Sequence, residues 1–246
     1  MNCDKKIIEE SFEKIGIALT ELQINQFYDY YQFLVEKNKV MNLTAITEYE
    51  DVVIKHFVDS LLIANVPDFQ KMAEQKIRLI DVGTGAGFPG IPIKIVYPEI
   101  QVTLLDSLNK RIKFLNEVVE NLGLNNVTCI HGRAEDFGSN PEYREQYDIC
   151  VSRAVANLST LSEYCVPFVK VGGSFISYKA SAIEEEVQNS KKAVKILNCK
   201  INDVIKMKLT DFNHNENERS FVVIEKVGKL SKKYPRKSGI PSKEPL

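Results

Sequence analysis

The sequence predicts an α/β fold: a mostly parallel, twisted sheet with helices on both faces, preceded by a helical segment. Three observations predict it. From Lys76 onward, short apolar runs alternate with amphipathic runs of helix length, the pattern of βαβ units. The first apolar run ends in a glycine-rich turn, Asp81 to Gly90, that opens a helix. Residues 1 to about 70 contain apolar residues at three- and four-residue steps and no clear strand period.

Within the N-terminal segment, Ile24, Phe27, Tyr28, Tyr31, Leu34 and Val35 fall on one helix face, with Tyr30 and Phe33 off it. A second amphipathic stretch runs from Asp51 to Ala64 and is broken at Pro67 and Asp68. Strands are then expected at Ile77–Val82, Val102–Asp106, Val127–His131, Tyr147–Ser152, Ser174–Lys179, Asn202–Leu209 and Ser220–Val227. Helices are expected at Ile91–Tyr97, Lys110–Leu122, Leu158–Val169 and Ile183–Leu197. Residues 231–246, with three prolines and many charges, read as an extended basic tail. The expected organisation is 1–70 as a helical segment packed on the main body, 71–230 as the catalytic domain and 231–246 as the tail.

The 246-residue chain is 44% apolar and 26% charged, ordinary values for a globular protein. No run of about 18 apolar residues is present, and the N-terminus lacks the apolar core of a signal peptide, so a cytoplasmic location and no membrane partner are expected. The cysteines at 3, 129, 150, 165 and 199 include no close pair and read as buried free thiols. The histidines 56, 131 and 214 are scattered, and no metal is expected. Net charge is −1, but from Lys226 onward seven basic residues face one acid. That segment carries +6 and residues 1–225 carry −7, a distribution that fits either a polyanion contact or a solvated terminus.

In Asp81-Val82-Gly83-Thr84-Gly85-Ala86-Gly87-Phe88-Pro89-Gly90, glycines let backbone approach a ligand at the carboxyl edge of the sheet. The segment satisfies G-x-G-x-x-G, and Asp106 follows Gly85 by 21 residues, so a dinucleotide is one possible ligand. Three features favour S-adenosylmethionine. Asp81 closes the first strand, where it can face a cationic amino-acid moiety. Asp106 closes the second, where it can accept ribose hydroxyls. After the third strand, Gly132-Arg133-Ala134-Glu135-Asp136 forms a polar loop suited to an adenine edge. A Rossmann-like class I S-adenosylmethionine-dependent methyltransferase domain is therefore expected.

Longer stretches carry a more specific resemblance. They are Asn38 to Thr44 (NKVMNLT), His56 to Ser60 (HFVDS), Asp81 to Pro92, Leu105 to Arg111 (LDSLNKR) and Gly132 to Glu135. Further along come Ser152-Arg153-Ala154, Tyr178-Lys179-Ala180, Glu218-Arg219 and Tyr234 to Pro241 (YPRKSGIP). In this order and over almost the whole chain, the sequence resembles the RsmG (also called GidB) family. These bacterial methyltransferases modify N7 of one guanosine in small-subunit ribosomal RNA. The resemblance implies S-adenosyl-L-methionine as cofactor and 16S ribosomal RNA, or the small ribosomal subunit, as partner, with the target in the guanosine 527 region. It implies that Gly83, Phe88, Ala134, Glu135 and Arg153 line the cofactor site, beside the Asp81, Gly85 and Asp106 read from the loop. It further implies that Arg133, Lys179 and Arg219 face the cofactor carboxylate or the RNA. Arg133, Arg153 and Lys179 are expected to position the reactants. Asn42, His56, Arg219, Lys233, Arg236 and Lys237 are the candidate RNA contacts.

The residues themselves place Arg153 and Lys179 at neighbouring strand ends on the ligand edge, where each could instead pair with a carboxylate such as Glu135 or Asp136. Guanine N7 carries a lone pair and no proton, so no general base is needed and catalysis rests on positioning. Cytosine C5 chemistry would need a cysteine where Ser152-Arg153-Ala154-Val155 stands. Asn140-Pro141-Glu142-Tyr143 mimics an amino-methylation motif but precedes the fourth strand, and reads as a turn. Phe88, Tyr178 and the tail are candidates for holding a splayed base. Two further readings stay open: a small-molecule methyltransferase on the same fold, and an RNA-binding module with an inactive cofactor loop. The tail either contacts phosphates or folds back through Tyr234-Pro235-Arg236.

Overall fold

The computed structural model describes residues 3–67, 69–153, 156–180 and 183–246. The expected break at Asp68, the positions Ala154 and Val155, and the side chain of Cys3 lie outside them. The chain opens with α1 (Cys3–Glu13) and α2 (Glu21–Met41). A capping box starts α2: the Thr20 side chain accepts from the Gln23 N–H, and Gln23 reaches back to the Thr20 N–H. Then come α3 (Tyr49–Val52), a π-helical turn (Val53–Val58), α4 (Asp59–Leu61), a 3-10 turn (Leu62–Asn65) and α5 (Phe69–Ala73).

The alternating part follows as β1 (Arg78–Val82), α6 (Gly90–Val96), β2 (Gln101–Asp106), α7 (Asn109–Asn121), β3 (Val127–His131), α8 (Ala134–Ser139), β4 (Tyr147–Arg153) and α9 (Leu158–Cys165). After a 3-10 turn come β5 (Val169–Ala180), α10 (Glu184–Ile196), β6 (Cys199–Thr210), β7 (Glu216–Lys226) and α11 (Ile240–Lys243). The sheet order is β3-β2-β1-β4-β5-β7-β6. The first five strands pair in parallel; β7 runs antiparallel between β5 and β6. A dinucleotide-binding sheet has no such inserted antiparallel strand.

Alternate residues feed two cores. Leu79, Leu104, Ile149, Val151, Ile176, Phe221 and Val223 face one; Ile80, Val82, Leu105, Cys150, Phe175, Val222 and Ile224 face the other. The first core continues through Phe12, Phe27, Tyr30, Phe57 and Leu61, so the N-terminal helices share the sheet's own core. Tyr30, off the expected face of α2, is fully buried against Phe57 and Phe88, and its hydroxyl donates to the Ala86 carbonyl of the glycine loop at 2.5 Å.

Two expectations are corrected. The polar loop after β3 becomes helical at Ala134. The tail is not extended: it turns at Gly239 into α11 and packs against the body, with Leu230, Pro235 and Pro241 buried. Lys226, counted with the basic tail, is 1% exposed and pairs with Glu145 at 2.8 Å. Asn140 to Tyr143 is a turn, as expected. Cys150, Cys165 and Cys199 are buried thiols, whereas Cys129 is only partly buried.

Candidate cofactor and substrate site

The carboxyl ends of β1, β2 and β4 converge on the glycine loop. Gly83, Gly85 and Gly87 all have positive φ, at 73°, 64° and 102°. At Gly87 a Cβ would lie 2.6 Å from the Tyr30 hydroxyl, so close packing excludes any side chain. At Gly85 a Cβ would meet nothing within 4 Å: glycine there leaves open space beside the backbone, the cradle a ligand needs.

Asp81 does not face that space. It is fully buried, and its Oδ2 accepts the Thr84 hydroxyl at 2.7 Å and the Gly90 N–H at 2.9 Å. Its Oδ1 has no partner, and burial raises its pKa to about 6. Through its other oxygen Asp81 braces the glycine loop. Asp106, 2% exposed, accepts the Gly85 N–H and the Leu108 N–H, each at 2.9 Å, and pairs with Arg111 at 3.2 Å.

Three cavities run in series from these residues. One of about 190 Å³ lies between Val82, Gly83, Leu105, Asp106 and Gly132 to Glu135 on one side and Tyr164, Gly239 and Ser242 on the other. A second, about 410 Å³, is lined by Leu43, Thr44, His56, Gly83 to Ala86, Phe88, Asp106, Arg111 and Arg153. The two share Gly83, Asp106 and Ser107. A third, about 480 Å³, is lined by Lys55, His56, Asp59, Arg153, Tyr178, Lys179, Arg219 and Phe221, and shares His56 and Arg153 with the second.

Asp59, 4% exposed, organises the third cavity. Its two oxygens bind Arg153, at 2.7 Å, and Arg219. Lys179 donates to Glu186 at 2.7 Å and to the Ala156 carbonyl at 2.8 Å. Both strand-end cations thus have a carboxylate partner, but the partners are Asp59 and Glu186, not Glu135 or Asp136. Phe88 is buried, stacked on His56 at 4.5 Å with the Arg153 guanidinium 5.3 Å from its ring centre. Burial, and then the Arg153 charge, lower the His56 pKa to about 4, so its ring is neutral at pH 7. His56 Nε2 lies 2.9 Å from the Thr44 hydroxyl.

The other expected residues fall in different settings. Tyr178 is buried, and its hydroxyl donates to the Ser60 carbonyl at 2.8 Å, which leaves it a wall and not a free stacking platform. Arg236, expected at the RNA, is bound to Glu163, which is fully buried: its Nε and Nη2 donate at 2.9 and 2.7 Å, and its backbone N–H donates at 2.8 Å. Glu135, 7% exposed, accepts the Gly239 N–H at 2.9 Å. Arg133 is exposed beside the first cavity; Asn42 is the exposed, left-handed C-cap of α2 and lines none of the three cavities. Lys233 and Lys237 are exposed. Sequence reasoning does not single out Asp59, Thr44, Arg111, Tyr164, Gly239 or Ser242. Asp59, Thr44, Arg111 and Gly239 lie within the stretches that carry the family resemblance, but no local pattern gives them a role. Among the described residues no group of His, Cys, Asp or Glu is arranged to hold a metal ion, and no helix is long and apolar enough to cross a membrane.

The fold is shared with solved methyltransferase-fold structures. The [4+2]-cyclase SpnF aligns with a TM-score of 0.56 and 14% identity over 86% of this chain and 98% of its own. TYW2 of M. jannaschii, solved in complex with AdoMet, aligns with a TM-score of 0.50 and 17% identity over 66% of this chain and 76% of its own. Sequence relatives match far more closely. The ribosomal RNA small subunit methyltransferase G of Clostridium kluyveri is 52% identical over 98% of both chains. That of Acetivibrio thermocellus is 50% identical over 98% of this chain and 96% of its own. The family profile described as GidB, rRNA small subunit methyltransferase G, matches residues 23–217. The chain belongs to the rRNA small subunit methyltransferase G family and is an S-adenosylmethionine-dependent methyltransferase.

Proposed function

We propose that this chain transfers a methyl group from S-adenosylmethionine to N7 of one guanosine of 16S ribosomal RNA, in the guanosine 527 region, within the cytoplasm. The observation that carries the proposal is the junction of the second and third cavities at His56 and Arg153. A cofactor held between Asp106 and the glycine loop would adjoin a cavity rimmed by Lys55, Arg153, Lys179 and Arg219, four cations that outnumber their partners Asp51, Asp59 and Glu186 and leave a rim suited to the phosphates flanking an entering nucleoside.

When bound, S-adenosylmethionine supplies an electrophilic methyl group on a positively charged sulfonium. Gly83 and Gly85 would admit it, and Asp106 would hold its ribose. The residues around it fit a reaction that needs no proton removed. His56 is neutral, so it adds no like charge beside a sulfonium. Asp59 offsets part of the charge of Arg153 and Arg219, which lowers the opposition of the cavity to a purine that becomes cationic. The stack of His56, Phe88 and Arg153 fixes the geometry of the passage between the two cavities.

Nucleoside mass mapping of 16S ribosomal RNA from cells with and without the gene tests the proposal. Loss of one 7-methylguanosine, restored by the wild-type gene and not by an Asp106→Ala copy, is expected. An unchanged 7-methylguanosine content would overturn it.

A further inference from the structure

The C-terminal tail closes one side of the adenosine end of the cofactor cavity, and we propose that Gly239 and Ser242 are cofactor-contacting residues held there by the Glu163–Arg236 pair. The proposal rests on the methyltransferase reading above. It starts from the cavity of about 190 Å³ beside Asp106, whose far side is built from Tyr164, Gly239 and Ser242. Asp106 marks the ribose end, so the tail residues and Gly132 to Glu135 flank the position of the base.

The tail is tied to the body at several points between Leu230 and Pro241. Arg144 donates to the carbonyls of Leu230, Ser231 and Tyr234 at 3.1, 3.2 and 2.8 Å. Arg236 meets both oxygens of buried Glu163. The Thr160 hydroxyl donates to the Pro241 carbonyl at 3.1 Å. Between these anchors the chain reverses at Gly239, with φ 85°, a conformation glycine adopts without penalty. The Gly239 N–H donates to Glu135, a residue on the opposite wall of the same cavity. The tail thus bonds directly to the wall it faces. The Ser242 hydroxyl donates to the Gly239 carbonyl at 3.1 Å and lies exposed at the rim. A larger side chain at 242 would enter the cavity without disturbing buried packing.

Calorimetry with S-adenosylhomocysteine and with 5′-methylthioadenosine on the full chain tests this, comparing wild type, Ser242→Phe and Lys243→Phe. Lys243 is exposed in the same short helix and lines none of the three cavities, so it controls for bulk. Ser242→Phe is expected to weaken both ligands by about tenfold or more with an unchanged melting temperature, whereas Lys243→Phe binds as wild type. Amide exchange of residues 239–243 is expected to slow on addition of S-adenosylhomocysteine, while the β6–β7 hairpin is unaffected. Wild-type affinity in Ser242→Phe, or equal weakening in both variants with a lower melting temperature, would overturn the proposal. Absence of binding by the unmodified chain would instead overturn the methyltransferase reading, and the proposal with it.

Discussion

Two segments border the cofactor cavity, the glycine loop at 82–90 and the tail at 231–246, and both are held by the same device. A buried carboxylate accepts backbone N–H groups: Asp81 takes that of Gly90 and Asp106 those of Gly85 and Leu108; Glu135 takes that of Gly239 and Glu163 that of Arg236. The difference lies in what else the carboxylate binds. Asp81 has no cation at hydrogen-bond distance and is raised toward neutrality, while Glu163 meets a guanidinium with both oxygens. Asp81 therefore braces the loop without a cation, on residues close in sequence, whereas Glu163 clamps the tail through a guanidinium from a distant part of the chain. The comparison predicts that the tail fails abruptly when its cation is removed, and that the loop responds to pH.

Arg236→Ala should have the largest effect. It leaves Glu163 buried without its partner, and breaking such a pair costs about 3 kcal/mol, allowing for the partial exposure of the arginine. Urea unfolding measures this, and a destabilisation well below about 1 kcal/mol would show that the tail is not clamped. Asp106→Ala comes next. It should weaken S-adenosylhomocysteine by roughly 1.5–3 kcal/mol, the scale of hydrogen bonds to a charged group. Because Gly85 and Leu108 also lose their acceptor, it should cost about 1 kcal/mol of stability as well. Calorimetry and unfolding on one variant separate the two effects.

The pH dependence is smaller and two-sided. Burial raises Asp81 from 3.8 to about 6, so the folded chain holds a proton that the unfolded chain has lost, and its contribution fades as pH rises through that window. His56, lowered from 6.5 to about 4, is neutral when folded and protonated when unfolded, so its contribution grows as pH rises from about 4 to 6.5. The two oppose each other in the wild type. Asp81→Asn keeps an oxygen for Thr84 and Gly90 and should expose the rising slope of His56; His56→Gln should expose the falling slope of Asp81. Parallel pH profiles for all three proteins would show that neither group titrates as described. The smallest effect concerns RNA. Replacing exposed Lys232, Lys233 and Lys237 with serine should flatten the log-affinity against log-salt slope by about 0.7–0.9 for each phosphate that these lysines neutralise. Replacing Arg236 should flatten it no further, since both oxygens of fully buried Glu163 hold that guanidinium on the body.

The same contrast explains what is legible in the sequence. The alternation of strands and helices, the positions of all seven strands and the glycine loop are local patterns, and each follows from residues within a few turns of one another. Asp106 stands out because strand ends and glycine turns occur together. The role of Asp81 does not, since nothing local distinguishes a carboxylate facing a ligand from one turned back onto its own loop. Glu163 and Arg236 are 73 residues apart and Glu135 and Gly239 are 104 apart, so the prolines and charges of the tail signal extension while its partners stay out of view. Asp59 is hidden for the same reason: its partners, Arg153 and Arg219, come from β4 and β7.

The most direct measurement incubates the purified chain with S-adenosylmethionine labelled in its methyl group and with small ribosomal subunits from cells lacking the gene, then digests the RNA to nucleosides. A single labelled product, 7-methylguanosine, formed once per subunit and abolished by Asp106→Ala, is the predicted result. Label in a different methylated nucleoside, or none in RNA while the cofactor still binds, would contradict transfer to guanine N7.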